Sequence, residues 1–131
     1  MTSDKATARF MYMLYRYIRA NPKALVRVRE HDRVPAYQLL LGYYDDDFVY
    51  IRPQIILPLF HAGNGNSAKF DERKIMEQLF ALDMIKVHWI VTSECRYRPQ
   101  KRVGKTRKRY ITFYRNKLNA YLLEMDRRDK Q

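Results

Sequence analysis

The amino-terminal residues show the spacing of an amphipathic helix. Apolar side chains recur at intervals of three and four residues, which places them on one stripe of a helix. They are Phe10, Met13, Leu14, Tyr17 and Ile18. Ser3 or Asp4 is a suitable N-cap, and Asn21-Pro22 should end the helix because the residue before a proline disfavours the α region. We therefore expect this helix to bury one face in the core.

Two runs rich in aromatic and branched residues follow, at residues 37–43 and 48–51. Such residues favour strands. The acidic run Asp45, Asp46 and Asp47 stands between the two runs and suits an exposed turn. The pattern predicts a β-hairpin with a charged tip.

Two helices are predicted in the middle of the chain. Pro53 suits the first turn of a short helix, which the Gly and Asn residues at 63–66 should end. The second helix starts at Asp71 and repeats apolar residues at helical spacing. Its predicted buried stripe is Ile75, Leu79 and Leu82.

The last third of the chain predicts two strands and a helix. Residues 86–92 and 110–114 both carry the alternation of a half-buried strand, and we expect them to pair across the connection at residues 93–109. A helix should begin at about Asn116, and the charged residues 126–131 should fray as a tail. The expected core residues include Phe10, Leu14, Leu79, Trp89 and Phe113.

The order of these elements predicts an α+β fold of winged helix-turn-helix type, with an N-terminal helix, a β-hairpin, a long basic wing and a C-terminal helix. In that arrangement the helix from Asp71 takes the recognition position, and residues 93–109 form the wing. A length of 131 residues fits one domain. We place this winged-helix-type domain at residues 1–125, followed by the charged tail at residues 126–131.

The chain is strongly basic, with 26 Lys and Arg against 14 Asp and Glu and a net charge of +12. Most of the excess lies at residues 96–131, which hold 13 basic and 3 acidic residues. A concentrated positive charge attracts polyanions through long-range steering and counterion release. Nucleic acid is the first candidate partner. An anionic membrane surface is the second, but no apolar segment is long enough to span a bilayer, and we expect no membrane association.

The predicted wing carries most of the candidate nucleic-acid-binding residues. They are Arg96, Arg98, Lys101, Arg102, Lys105, Arg107, Lys108 and Arg109, against the single acidic residue Glu94. The alternative is a solvated basic loop. On the helix from Asp71, residues Arg73, Lys74 and Gln78 are of types that contact base edges. The neighbouring acidic residues nearly cancel their charge, so an ordinary exposed helix face is an equal alternative.

Catalytic and metal-binding patterns are missing from the sequence. Cys95 is the single cysteine, so it can form neither an internal disulfide nor a cysteine-rich zinc site, which fits a reducing, cytoplasmic setting. Gly104-Lys105-Thr106 resembles the end of a phosphate-binding loop, but the required earlier glycine is Pro99. We expect a binding protein that uses no cofactor and no metal, and not an enzyme.

Several spaced Gly, Tyr and Pro positions resemble the C-terminal winged-helix domain of primase-helicase-like replication ATPases from phages and mobile elements. The similarity covers residues 8–115, and the segments that carry it are residues 17–21, 41–44, 49–53, 70–71, 79–85 and 104–111. The resemblance implies a winged-helix fold, DNA binding in replication and a replication ATPase or helicase as a partner. The ATPase motifs of that family are absent here. The sequence therefore leaves open whether this chain is a fragment or a stand-alone relative.

Three binding functions remain open from the sequence. DNA binding through the basic wing is the leading hypothesis. The same charge would also suit an RNA, since composition does not separate the two nucleic acids, or a protein-interaction module that binds an acidic partner.

Overall fold

A computed structural model describes residues 3–28, 40–63, 72–89, 95–103 and 106–129 of the chain. The helices in these ranges are α1 (Ser3–Ala20), α2 (Pro53–Gly63), α3 (Glu72–Ala81) and α4 (Arg115–Asp129). The strands are β1 (Leu25–Arg27), β2 (Gly42–Tyr44), β3 (Phe48–Ile51), β4 (Ile85–Lys86), β5 (His88–Trp89), β6 (Cys95–Arg96), β7 (Gln100–Val103), β8 (Thr106–Arg109) and β9 (Ile111–Tyr114).

The main sheet has five strands in the order β1-β2-β3-β9-β4. β1 and β2 are parallel, and the other neighbours are antiparallel. Two small antiparallel pairs, β5–β6 and β7–β8, stand outside this sheet. The predicted α+β class and the hairpin of β2 and β3 are therefore confirmed, as are α1, which ends before Asn21, and α2, which begins at Pro53. The first strand of the hairpin starts only at Gly42, since residues 40 and 41 are not in a strand, and residues 37–39 lie outside the described part of the chain.

One face of the main sheet forms the core with the four helices. The strands contribute Val49, Ile51, Ile85, Ile111 and Phe113, and the helices contribute Phe10, Leu14, Ile56, Phe60, Ile75, Leu79, Leu118 and Leu122. The rings of Phe10 and Phe60 meet edge to face at 5.6 Å between centroids. Phe10, Leu14, Leu79 and Phe113 are fully buried, as predicted. The side chain of Trp89, the other predicted core residue, lies outside the described residues.

The opposite face of the sheet carries a second apolar cluster. The ring of Tyr110 contacts those of Tyr43 and Tyr50, with centroids 6.0 and 6.1 Å apart, and Leu40 and Val103 complete the buried set. Val103 belongs to β7, so this cluster attaches the β7–β8 hairpin to the sheet.

Gly42 is required by a close approach of two strands. A Cβ atom at this position would lie 1.9 Å from the carbonyl oxygen of Tyr50. Gly42 pairs with Ile51 in the hairpin register, and its N–H donates to the carbonyl of Ala24 at 3.2 Å. Any larger residue would push β2 away from β3.

The end of α3 corrects the prediction for Leu82. The N–H of Asp83 donates to the carbonyl of Phe80, and that of Met84 donates to the carbonyl of Leu79. This pair of bonds is a Schellman motif, and Asp83 occupies its left-handed position with φ of 57°. The helix has ended before Leu82 can continue the buried stripe, and Leu82 is 55% exposed. Met76 is buried instead.

The strand predicted at residues 86–92 is divided in the structure. Ile85 and Lys86 pair with Phe113 and Thr112, which confirms pairing between these two regions. His88 and Trp89 leave the main sheet and pair with Cys95 and Arg96. Residues 90–92 lie outside the described part of the chain.

The predicted fraying of residues 126–131 is wrong for residues 126–129, which form the last turn of α4. Asp126 accepts hydrogen bonds from Tyr15 at 3.0 Å and from Arg19 at 2.6 Å. Asp129 Oδ2 lies at the same distance, 3.0 Å, from the Tyr15 hydroxyl, so the two carboxylates share its single proton. Burial and these two carboxylates raise the pKa of the Tyr15 hydroxyl to about 12. These contacts with α1 order the last turn of α4, which the charged composition alone predicts to fray.

We expect Phe113→Ala to lower the free energy of unfolding by about 3–5 kcal/mol, because it leaves a cavity between the sheet and the helices. The matched control is Leu123→Ala on α4. Leu123 is 64% exposed, so its truncation should change stability by less than about 0.5 kcal/mol. Urea unfolding followed by circular dichroism measures both values. Equal effects would show that β9 does not face the core as described.

Candidate nucleic-acid interface

The predicted basic wing contains the antiparallel β7–β8 hairpin, whose register brings like charges together. Lys101 faces Lys108, and Arg102 faces Arg107. Directly opposite residues on antiparallel strands have Cβ atoms about 5 Å apart, and like charges in this position are unfavourable. In each of these two cross-strand pairs, the two like-charged side chains therefore repel each other. Such repulsion is relieved when an anion lies over the hairpin.

The two faces of this hairpin have different environments. Val103 turns toward the sheet and is buried in the tyrosine cluster. Alternation places Arg102 and Arg107 on the other face, where both are exposed. The N–H of Tyr110 donates to the carbonyl of Pro99 at 3.1 Å, which closes the base of the hairpin. One face holds the hairpin in place, and the other presents guanidinium groups to solvent.

Asp45 in the β2–β3 turn binds Lys101 of the hairpin. The Tyr50 hydroxyl donates to Asp45 Oδ2 at 2.6 Å, and Lys101 Nζ lies 4.0 Å from the same oxygen. Burial raises the pKa of the Asp45 carboxyl, but the hydrogen bonds from Tyr50, Phe48 and Asp47 and the charge of Lys101 outweigh it and lower the pKa overall. The carboxylate stays ionised and neutralises part of the Lys101 charge.

A concave cleft of about 570 Å³ lies beside the hairpin. The residues that line it are Lys86, Val87, His88, Pro99, Gln100, Lys101, Arg102, Arg107 and Arg109. Five of these side chains are cationic and none is acidic. A concave surface lined by one sign of charge focuses the electrostatic field and attracts counter-ions.

The charges of this cleft are largely uncompensated. Within the described ranges, no carboxylate forms an ion pair with Arg102 or Arg107. Arg109 donates a hydrogen bond to the carbonyl of Arg98 at 3.3 Å, which orients its guanidinium group without neutralising it. Lys101 alone has a described carboxylate nearby, at the 4.0 Å limit of an ion pair.

The amino-terminal end of α3 lies beside the base of the hairpin. A second groove of about 340 Å³ is lined by Glu72, Arg73, Met76, Tyr97, Arg98 and Arg109. Arg98 and Glu72 form an ion pair across it at 2.5 Å. Arg109 lines both depressions, so the groove and the cleft are adjacent. The α3 helix therefore adjoins the basic surface at its first turn.

The predicted site residues separate into three groups. Lys101, Arg102, Arg107 and Arg109 meet at the cleft, and Arg73 and Arg98 line the adjoining groove. Lys74, Lys108 and the half-buried Gln78 line neither, although Lys74 and Lys108 are exposed. The side chain of Arg96 and the whole of Lys105 lie outside the described residues.

The sequence prediction missed Lys86 and His88 as members of this site. Both line the cleft, yet both were included only as positions of a strand. Lys86 reaches the cleft because β4 pairs with β9 and stands next to the start of the hairpin region. The one available signal was that a basic residue interrupts an otherwise apolar run at residues 84–87.

Comparisons of the chain with protein-family models, with characterised proteins and with solved structures find no match. Along the described part of the chain, no helix combines the length and the apolar character that crossing a membrane requires. The same residues include no group of three or more His, Cys, Asp or Glu side chains suited to hold a metal ion. Function therefore has to be inferred from the charges and shapes described above.

We expect Arg107→Glu to raise the free energy of unfolding by about 0.2–1 kcal/mol, because it replaces a like-charge rung with an attractive one. Arg107→Gln, which removes the repulsion without adding attraction, should give a smaller gain. Lys23→Glu, in the exposed turn after α1, is the control for the same change in net charge. Thermal and urea unfolding measure the three values. A loss of stability in Arg107→Glu would mean that Arg107 is already compensated in the folded protein.

Proposed function

We propose that this chain is a nucleic-acid-binding module that holds the phosphate backbone of DNA in the cleft beside the β7–β8 hairpin. The observation that carries the proposal is the cleft itself, with five cationic side chains and no acidic residue among those that line it. Phosphate oxygens are the natural partners of closely spaced guanidinium groups, which bind them in a bidentate manner. Binding, and not catalysis, is the proposed activity.

A winged helix-turn-helix architecture is the proposed fold type. Its support is the order α1, β3, α2, α3, β4, hairpin and β9, with β1 and β2 added before β3 and the β5–β6 pair added after β4, together with the strand order β3-β9-β4. In a winged-helix domain, the strand that precedes the second and third helices pairs with the strand that follows the wing. β3 and β9 are paired in this way. The β7–β8 hairpin then corresponds to the wing, and α3 to the recognition helix.

We place the module in the replication of a phage or mobile element, with a replication ATPase or helicase as partner. The support is the resemblance of the spaced Gly, Tyr and Pro positions. One of these positions, Gly42, has a physical reason in this fold, because a Cβ atom there would collide with the backbone of Tyr50. Co-purification of the chain with a replication ATPase would test this assignment separately from DNA binding.

We expect binding to duplex DNA to depend steeply on salt. If the five cations of the cleft each neutralise a phosphate, log K should fall against log salt with a slope of about −4 to −5. Arg102→Ala combined with Arg107→Ala should reduce the magnitude of that slope by about two. Fluorescence anisotropy on a labelled duplex across a range of salt concentrations measures both slopes.

Lys23→Glu is the control, since it changes the net charge without touching the cleft, and its slope should match the wild type. A slope near zero for the wild type would refute phosphate binding. An acidic protein partner would then be the better explanation of the basic surface. Tighter binding to duplex RNA than to duplex DNA at equal salt would redirect the proposal to RNA.

Base readout by α3 is expected to be weak. Lys74 and Gln78 line neither depression, so replacing both by Ala should weaken binding to several unrelated duplexes alike and by less than about threefold. A helix that reads bases would lose about 1–3 kcal/mol on a preferred sequence and keep its non-specific binding. Arg73→Ala is the informative companion, because Arg73 lines the groove next to Arg109. Affinities on a panel of duplexes at fixed salt separate these outcomes.

A further inference from the structure

The outer face of the main sheet carries two aromatic side chains beyond the edge of the hairpin. Phe48 and Tyr114 are cross-strand partners in the β3–β9 register. Their ring centroids lie 5.7 Å apart with 40° between the planes. Phe48 is half-buried and Tyr114 is 36% exposed. We call this pair the aromatic shelf.

Both lysines of the cleft contact the aromatic cluster to which the shelf belongs. Lys86 Nζ lies 4.9 Å from the centroid of the Phe48 ring. The Phe48 and Tyr50 centroids are 6.1 Å apart, and Lys101 Nζ lies 5.3 Å from the centroid of Tyr50. The shelf is therefore the apolar continuation of a cationic surface. A ligand that spans both must carry anionic groups next to a flat, apolar group.

The β-sheet register explains why these residues share one surface. Lys86 faces Thr112, and Thr112 faces Tyr50. Phe48 and Tyr114 lie two positions further along the same two strands, so they point to the same side of the sheet. The core lies on the opposite side, where Phe113 and Val49 are buried. The position of Tyr114 on this outer face leaves it outside the core cluster.

We infer that the aromatic shelf stacks an unpaired nucleobase of a single strand whose phosphates lie in the cleft. The inference rests on the proposed nucleic-acid binding and names the form of DNA that the site prefers. A nucleic acid strand is a ligand that joins a phosphate to a flat ring at every unit, which matches the adjacent cations and aromatic rings. Aromatic platforms beside basic grooves bind single strands in this way. Bases inside a duplex are stacked on their neighbours and cannot reach the shelf.

The test compares three DNA ligands, of which the two tailed ones carry the same number of phosphates. They are a blunt duplex, the same duplex with a single-stranded tail, and the tailed duplex with abasic sites throughout the tail. Wild-type protein should bind the tailed duplex about tenfold more tightly than its abasic counterpart. Tyr114→Ala should lose about tenfold on the tailed duplex, less than twofold on the blunt duplex, and nothing on the abasic tail.

Tyr114→Phe tests the mechanism and the integrity of the fold together. It retains the ring and should bind the tailed duplex like the wild type. Tyr12→Ala on α1 is the matched control, because Tyr12 is a tyrosine of similar exposure, 41% against 36% for Tyr114, and lies on the helical side of the sheet. Circular dichroism and thermal unfolding of each variant confirm that Tyr114→Ala folds, since the β9 backbone bond to Met84 does not use its side chain.

The outcomes separate this inference from the proposed function. Equal losses for Tyr114→Ala on all three ligands, or equal wild-type affinity for natural and abasic tails, would overturn base stacking and leave duplex binding intact. Absence of salt-dependent binding to any of the three would overturn the proposed function itself. Binding of an acidic protein or peptide that Tyr114→Ala weakens, with DNA binding unaffected, would assign the shelf to a protein partner.

Discussion

Strand β9 is the constraint on which the rest of this structure depends. It lies between β3 and β4 in the main sheet, and its pairing with both fixes the positions of elements that are distant in sequence. Its inner residues Ile111 and Phe113 are buried against the helices. On its outer face Thr112 is buried, and Tyr114 belongs to the aromatic shelf beside the cleft. A single extended segment thus joins the core to the candidate site, because neighbouring residues of a strand point to opposite faces.

The β7–β8 hairpin shows how an unfavourable charge arrangement is held in place. Two like-charge rungs oppose its formation, and in isolation a two-stranded hairpin is marginal. Val103, Tyr110 and the two sheet tyrosines bury apolar area beneath it, and Asp45 attracts Lys101 from the turn of the neighbouring hairpin. These contacts all act on the sheet-facing side. The hairpin therefore keeps its geometry even though its opposite side carries a dense positive charge.

The candidate site combines features that have different physical bases. The cleft supplies Coulomb attraction, which acts at long range and weakens with salt. The groove beside α3 contains an ion pair between Arg98 and Glu72, so part of its positive charge is neutralised within the protein. The aromatic shelf adds a short-range preference for a flat apolar group. In the proposed function, affinity, orientation and preference for an unpaired strand come from three neighbouring parts of the molecule.

The sequence by itself determined the four helices, the strands that overlap β2, β3, β4, β5 and β9, and the basic character of residues 93–109. Periodicity sufficed for residues such as Phe10, Leu14 and Leu79, because a buried stripe repeats along one helix. Periodicity failed for Leu82, where the chain turns through Asp83. Charged composition failed for residues 126–129, where Tyr15 and Arg19 of a distant helix order the last turn. The roles of Lys86 and Tyr114 could not be predicted from the sequence for the same reason. Their roles depend on the register of β9 with β3 and β4, and strand register is set by contacts between segments that are far apart in the chain.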